Sequence, residues 1–157
     1  MTTATPTSDR VEHSVLIRAP AAKVWKVMTD AEEFGRIFNA KLDGKLEAGA
    51  HVKGSVTVPE YEGLPFELTV DRMDPEKRFS WRWHPFAIER GVDYSKEPPT
   101  MVVLHLDRVG DATRVTLVEY GFDQLPAARR AKAHEAHVKG WTEVLKSLER
   151  AVEKHGK

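Results

Sequence analysis

The sequence predicts an α+β fold: a curved antiparallel sheet with two short helices after its first strand, wrapped around one long C-terminal helix. Three observations predict it. From about residue 42 to residue 120, segments of alternating apolar and polar residues follow one another across tight turns. That pattern marks a meander of antiparallel strands, not alternating βαβ units. After Pro126 the apolar spacing becomes helical and stays so as far as Val152. No second long helix exists to receive that stripe, so it packs on the sheet.

Residues 1–9 read as a flexible N-terminal tail and residues 10–155 as one domain, since 157 residues bury one good core but not two ordinary ones. In the first strand Val11, His13, Val15 and Ile17 alternate with Glu12, Ser14 and Arg18; Leu16 breaks the alternation, which implies partial cover on both faces. Pro20 ends the strand and suits the first turn of a helix carrying Val24, Trp25, Val27 and Met28. Asp30 then caps a second short helix, AEEFGRIF, with Glu33 as its capping-box partner.

The strands follow in order. HVKGSVTV puts Val52, Gly54, Val56 and Val58 on one face, and FELTVDRM does the same for Phe66, Leu68 and Val70. Asp74-Pro75 makes a turn, with proline preset for its second position. In RFSWRWH, Phe79, Trp81 and Trp83 lie opposite Ser80, Arg82 and His84. A long connection from Pro85 to Pro99, which could serve as a lid or as a rigid crossing, leads to MVVLHLDRV and, across Gly110-Asp111, to TRVTLVEY. On the last helix His134, Val138, Trp141, Leu145, Leu148 and Val152 form the stripe.

Composition removes several function classes. Lysine plus arginine (24) equals aspartate plus glutamate (24), which disfavours nucleic acid and anionic membranes as partners. The absence of cysteine excludes disulfides, thiolate nucleophiles and Cys-ligated metal centres. The opening MTTATPTSD lacks the regions of a signal peptide, and no apolar run reaches the ~18 residues of a membrane span, so a cytoplasmic protein is expected. Zero net charge permits either a monomer or a homodimer.

The motifs that carry chemistry are few. HEAH (134–137) is not the zinc-binding HExxH, and no third ligand accompanies its histidines, so no metal is expected. There is no GxSxG elbow and no glycine-rich phosphate loop; no catalytic residue and no cofactor are assigned. Alternation in TRVTLVEY puts Glu119 on the apolar side at the end of its strand. There it either enters the interior, where burial would raise its pKa unless a cation or donor pairs with it, or emerges into solvent, the plainer reading. Gly140, in mid-helix beside Trp141, suggests close approach of helix to sheet or, less simply, space for a ligand.

Taken in order, IRAPAAKVWKVMTD, DPEKRFSWRWHP, Thr113-Arg114 and HVKGWTEVLKSL resemble the START-like superfamily, whose helix-grip fold is shared with Bet v 1. The nearest resemblance is to bacterial relatives of the Hsp90 ATPase activator domain. One departure stands out: many relatives carry a tryptophan where the second short helix ends, and here Phe38 takes that place. The resemblance implies a hydrophobic cavity between sheet and C-terminal helix. The leading expectation is therefore non-catalytic binding of a hydrophobic or aromatic small molecule. Trp81, Trp83 and Trp141 would form its wall with Phe38, Val56 and Leu68, and Glu119 or His134 would supply the polar contact. Alternatives within the resemblance are a co-chaperone-like module that engages an Hsp90-type chaperone and a polyketide cyclase/dehydratase-like enzyme that uses pocket carboxylates. Large rings filling the gap completely would leave a solid core instead.

Overall fold

The computed structural model describes residues 10–85 and 93–155. The tail expected at residues 1–9 and the middle of the long connection before Asp93 lie outside the described residues. The elements are β1 (Arg10–Ile17), α1 (Ala21–Thr29), α2 (Ala31–Phe38), β2 (Ala40–Leu42), β3 (His51–Val56), β4 (Pro65–Asp74), β5 (Arg78–Trp83), β6 (Thr100–Val109), β7 (Ala112–Tyr120) and α3 (Ala127–His155). Short 3-10 turns occupy Pro59–Tyr61, Tyr94–Lys96 and Phe122–Gln124.

The sheet order is β1-β7-β6-β5-β4-β3-β2, every neighbouring pair antiparallel. Strands β2 to β7 thus run as a meander, and β1 closes on its last member. Helices α1 and α2 and the long α3 cover one face of this sheet, and the core lies between them. It includes Phe34, Leu68, Phe79, Trp81, Leu117 and Trp141, all buried.

Local chemistry explains the joints. The Asp30 carboxylate accepts the Glu33 backbone N–H at 2.9 Å, which caps α2 as its sequence implies. Asp74-Pro75 forms a tight turn closed by Lys77 N–H on the Asp74 carbonyl at 2.9 Å. At Gly54, a Cβ would run into the carbonyl oxygen of Lys41, because β2 folds tightly over β3. Gly54→Ala is therefore expected to lower unfolding stability by about 1–3 kcal/mol, the range for overpacking a filled site, as read from chemical denaturation.

Three sequence expectations are corrected. Leu16 is 39% exposed, so the outer face of β1 is uncovered at that point. Val138 is 37% exposed, whereas Ala133 is fully buried. The first half of α3 meets the sheet through the row Ala133, His137 and Trp141, which turns Val138 aside. Gly140 is exposed, and a Cβ there would meet nothing within 4 Å, so neither close packing nor ligand space accounts for it. Gly140→Ala should then stabilise the protein by about 0.5–1 kcal/mol through helix propensity alone, measured by the same denaturation.

Candidate functional site

Alternation on β5 drives Phe79 and Trp81 wholly into the interior and leaves Trp83 half-buried at its edge. The other face of the strand is polar. Ser80 donates to Asp71 at 2.9 Å, Arg82 lies 3.5 Å from the same carboxylate, and His84 bonds through Nε2 to the Glu97 carbonyl at 2.9 Å. The mixture of rings and charges in this strand is thereby sorted to two sides.

Inside, the rings converge. Trp83 and Trp141 stack with centroids 5.7 Å apart and planes 28° from parallel. Phe38, at the end of α2, places its ring edge-on to Trp81 (5.9 Å), Trp83 (5.5 Å) and Trp141 (5.6 Å). It also lies 4.4 Å from Phe34 and 6.5 Å from Phe66. Edge-on contacts of this kind are favourable because the positive ring edge meets a negative face. Phe38 thus occupies the middle of the aromatic group. Next to it, Met28, Phe34, Leu104, Trp141 and Leu145 help line a cavity of about 20 Å³, room for one water molecule and far below the volume of a ligand pocket.

The polar centre is Glu119, which is fully buried. The solvent-facing alternative is overturned, and the reason is the set of donors that converges on the carboxylate. Trp83 donates its indole N–H to Oε2 at 2.9 Å, and the buried Thr100 hydroxyl donates to the same oxygen at 2.6 Å. Trp141 donates its indole N–H to Oε1 at 2.8 Å, and His137 Nδ1 lies 2.5 Å from that oxygen. Tryptophan can only donate, so both indoles require an acceptor here. Burial alone would push the Glu119 pKa up; the charge of His137 and the hydrogen bonds from His137, Thr100 and Trp83 outweigh it and bring the pKa below its ordinary value. Glu119 is thus an anion inside an aromatic interior, bonded to β5, β6 and α3 at once.

The expected site residues fall into two groups. Trp81, Trp83, Trp141, Phe38 and Glu119 come together. Leu68 is buried in the same core, while Val56 is only half-buried, paired with Ala40 near the sheet edge. His134 sits apart, with Nε2 2.9 Å from the Arg10 carbonyl and its ring edge-on to Phe122 at 5.3 Å. The polar neighbours of the cluster are instead His137, weighed from sequence only as a metal ligand, and Thr100, which no local pattern marks. The available signal was spacing, since His137 precedes Trp141 by four residues and four residues share a helix face.

Beside this centre, Arg129 in the first turn of α3 makes a two-pronged bond to the Glu97 carboxylate (2.8–3.1 Å) and donates to the Pro85 carbonyl at 2.8 Å. Its guanidinium also lies 4.6 Å from the centre of the Tyr94 ring. The described ends of the long connection are thereby tied to the helix. Among the described residues, no group of three or more histidines, aspartates and glutamates is placed to hold a metal ion, and no helix is long and apolar enough to cross a membrane.

Several comparisons agree with this architecture. A solution structure of a protein from Arthrobacter aurescens superimposes with a TM-score of 0.76 at 14% identity, over 94% of this chain and 87% of that one. A crystal structure of a protein from Mesorhizobium loti gives 0.73 at 19% identity, over 92% and 97%. DynU16, from the dynemicin biosynthetic locus, gives 0.68 at 24% identity, over 92% of this chain but 47% of its own. At these identities the likeness is one of fold, the helix grip. No curated protein matches the sequence. The model of the family described as Activator of Hsp90 ATPase homolog 1-like protein matches residues 18–153, and the chain belongs to that family.

Proposed function

We propose that this protein binds a hydrophobic or aromatic small molecule between the sheet and α3, at the edge of the aromatic group formed by Phe38, Trp83 and Trp141. The family and fold are in general those of ligand-binding or co-chaperone-like modules. One observation carries the ligand reading: a fully buried carboxylate sits among stacked and edge-on aromatic rings, beside half-buried Phe38, Trp83 and His137. An interior selected for stability alone would gain by replacing such a charge with apolar groups, so its presence supports a role in recognition.

Because the adjoining cavity holds only about one water molecule, the ligand enters by displacing the Phe38 ring. Glu119 already accepts from four groups, so the polar contact offered to the ligand is His137, whose ring Glu119 orients. Native mass spectrometry of the protein purified from its source should show a retained apolar mass, or one acquired from a set of aromatic fragments. A protein that is ligand-free and takes up no fragment would remove this reading. The co-chaperone reading makes a different prediction: accelerated ATP hydrolysis by an Hsp90-type chaperone, undiminished by a folded variant that lacks the interior aromatic wall.

A further inference from the structure

We propose that His137 is a proton-transfer group, so that the interior performs acid–base chemistry on the molecule it takes up. The inference rests on the binding reading above and adds a reaction to it. Its basis is the geometry of the Glu119–His137 pair. Nδ1 of His137 is committed to Glu119 Oε1 at 2.5 Å, while Trp83, Thr100 and Trp141 donate to the same carboxylate. A carboxylate that already receives three donors has no proton of its own to offer, so the proton of this contact belongs to Nδ1. In the neutral ring that assignment leaves the lone pair on Nε2, and in the imidazolium that faces the Glu119 anion Nε2 carries the proton that is exchanged. Nε2 has no partner among the described residues, and 17% of the His137 side chain is open to solvent while Glu119 is completely closed off.

The ring is held rigidly. Trp83 and Phe122 lie edge-on to it at 5.9 and 5.7 Å, and Trp141 at 6.3 Å. An imidazole whose Nδ1–H is fixed by a buried carboxylate is set in one tautomer and one orientation. When Nε2 takes up a proton, the imidazolium forms against an anion already in place. Glu119 is then a positioning residue, and His137 is the group that meets the substrate.

The chemistry defines the substrate class as an apolar or aromatic molecule with a C–H bond made acidic by a neighbouring electron-withdrawing group. The C–H bond breaks and its proton passes to Nε2. The electron pair stays with the substrate, as an enolate or by expelling a leaving group, and the proton then returns to the product or to water. No oxidant, reductant or second substrate is required.

The test uses 5-nitrobenzisoxazole, a planar aromatic molecule. Loss of its ring C–H proton breaks the N–O bond and releases a coloured cyanophenolate. The intact protein should quench its tryptophan fluorescence saturably with this probe and convert it about 10²-fold faster than free imidazole at equal concentration. His137→Gln should abolish the acceleration, while saturable quenching persists with a weaker midpoint because the ring's polar contact is lost. Glu119→Gln should lower kcat with KM held within twofold, a split that mere loss of packing would not give. Saturable quenching without turnover above free imidazole overturns the proton transfer and leaves the binding reading standing. Neither quenching nor turnover overturns both. Should the Glu119 variant fail to fold, diethyl pyrocarbonate applied to the unaltered protein decides the matter. Carbethoxylation at His137 at least as fast as at the exposed His105 supports the proposal, and an inert His137 overturns it.

Discussion

Replacing Glu119 by alanine is expected to lower unfolding stability by about 3–5 kcal/mol, the range for breaking a buried charged pair from one side. The carboxylate is fully buried and receives Trp83, Thr100, Trp141 and His137. Its removal strands three neutral donors and the His137 Nδ1–H in an aromatic interior, where each unmade bond carries a desolvation penalty. For a chain of this length the loss amounts to a fall in Tm on the order of 10 °C. The pH dependence carries the same signature. The folded-state pKa of Glu119 lies below its ordinary value of 4.5, so its contribution is complete above about that pH and is lost as pH falls through the lower folded value. Unfolding midpoints measured at neutral pH and at acid pH should therefore fall further apart for the native chain than for the alanine variant. Equal acid sensitivity in the two would mean that Glu119 is not the anion described.

Trp81→Ala should be comparably severe, about 3–5 kcal/mol, for a different reason. The ring is fully buried and meets Phe34 (5.3 Å), Phe79 (5.0 Å) and Trp83 (5.6 Å) as well as Phe38 and Trp141. Its indole N–H is buried without a hydrogen-bond partner among the described residues, so packing carries all of its contribution. Truncation leaves a void among rings that cannot collapse on it. Denaturant titration should show the lower midpoint with little pH dependence, which separates this loss from that of the carboxylate.

The contrast between these two residues marks what sequence could convey. Strand alternation separates Phe79, Trp81 and Trp83 from Ser80, Arg82 and His84, and the structure keeps that division. The same alternation points Glu119 inward. Its burial depends on partners 18 to 36 residues away, on two other strands and a helix, and no local pattern records them. The role of His137 is hidden in the sequence for a related reason. A stripe counted through apolar residues passes through Val138, whereas the row that faces the sheet contains an imidazole whose place in the interior is sustained by a distant carboxylate. The packing around Phe38 was likewise open. A phenylalanine at the end of α2 can line a cavity or fill it, and only the positions of five surrounding rings decide that it fills it.

The most direct measurement follows the indole N–H resonances of the four tryptophans by two-dimensional NMR while 5-nitrobenzisoxazole is added. Trp83 and Trp141 donate to the carboxylate at the proposed site, whereas Trp25 lies away from it, edge-on to Phe79 at 6.3 Å. The account predicts that the Trp83 and Trp141 signals move together and saturably, with Trp25 unmoved. Resonances that stay fixed throughout, or a change confined to Trp25, would contradict it.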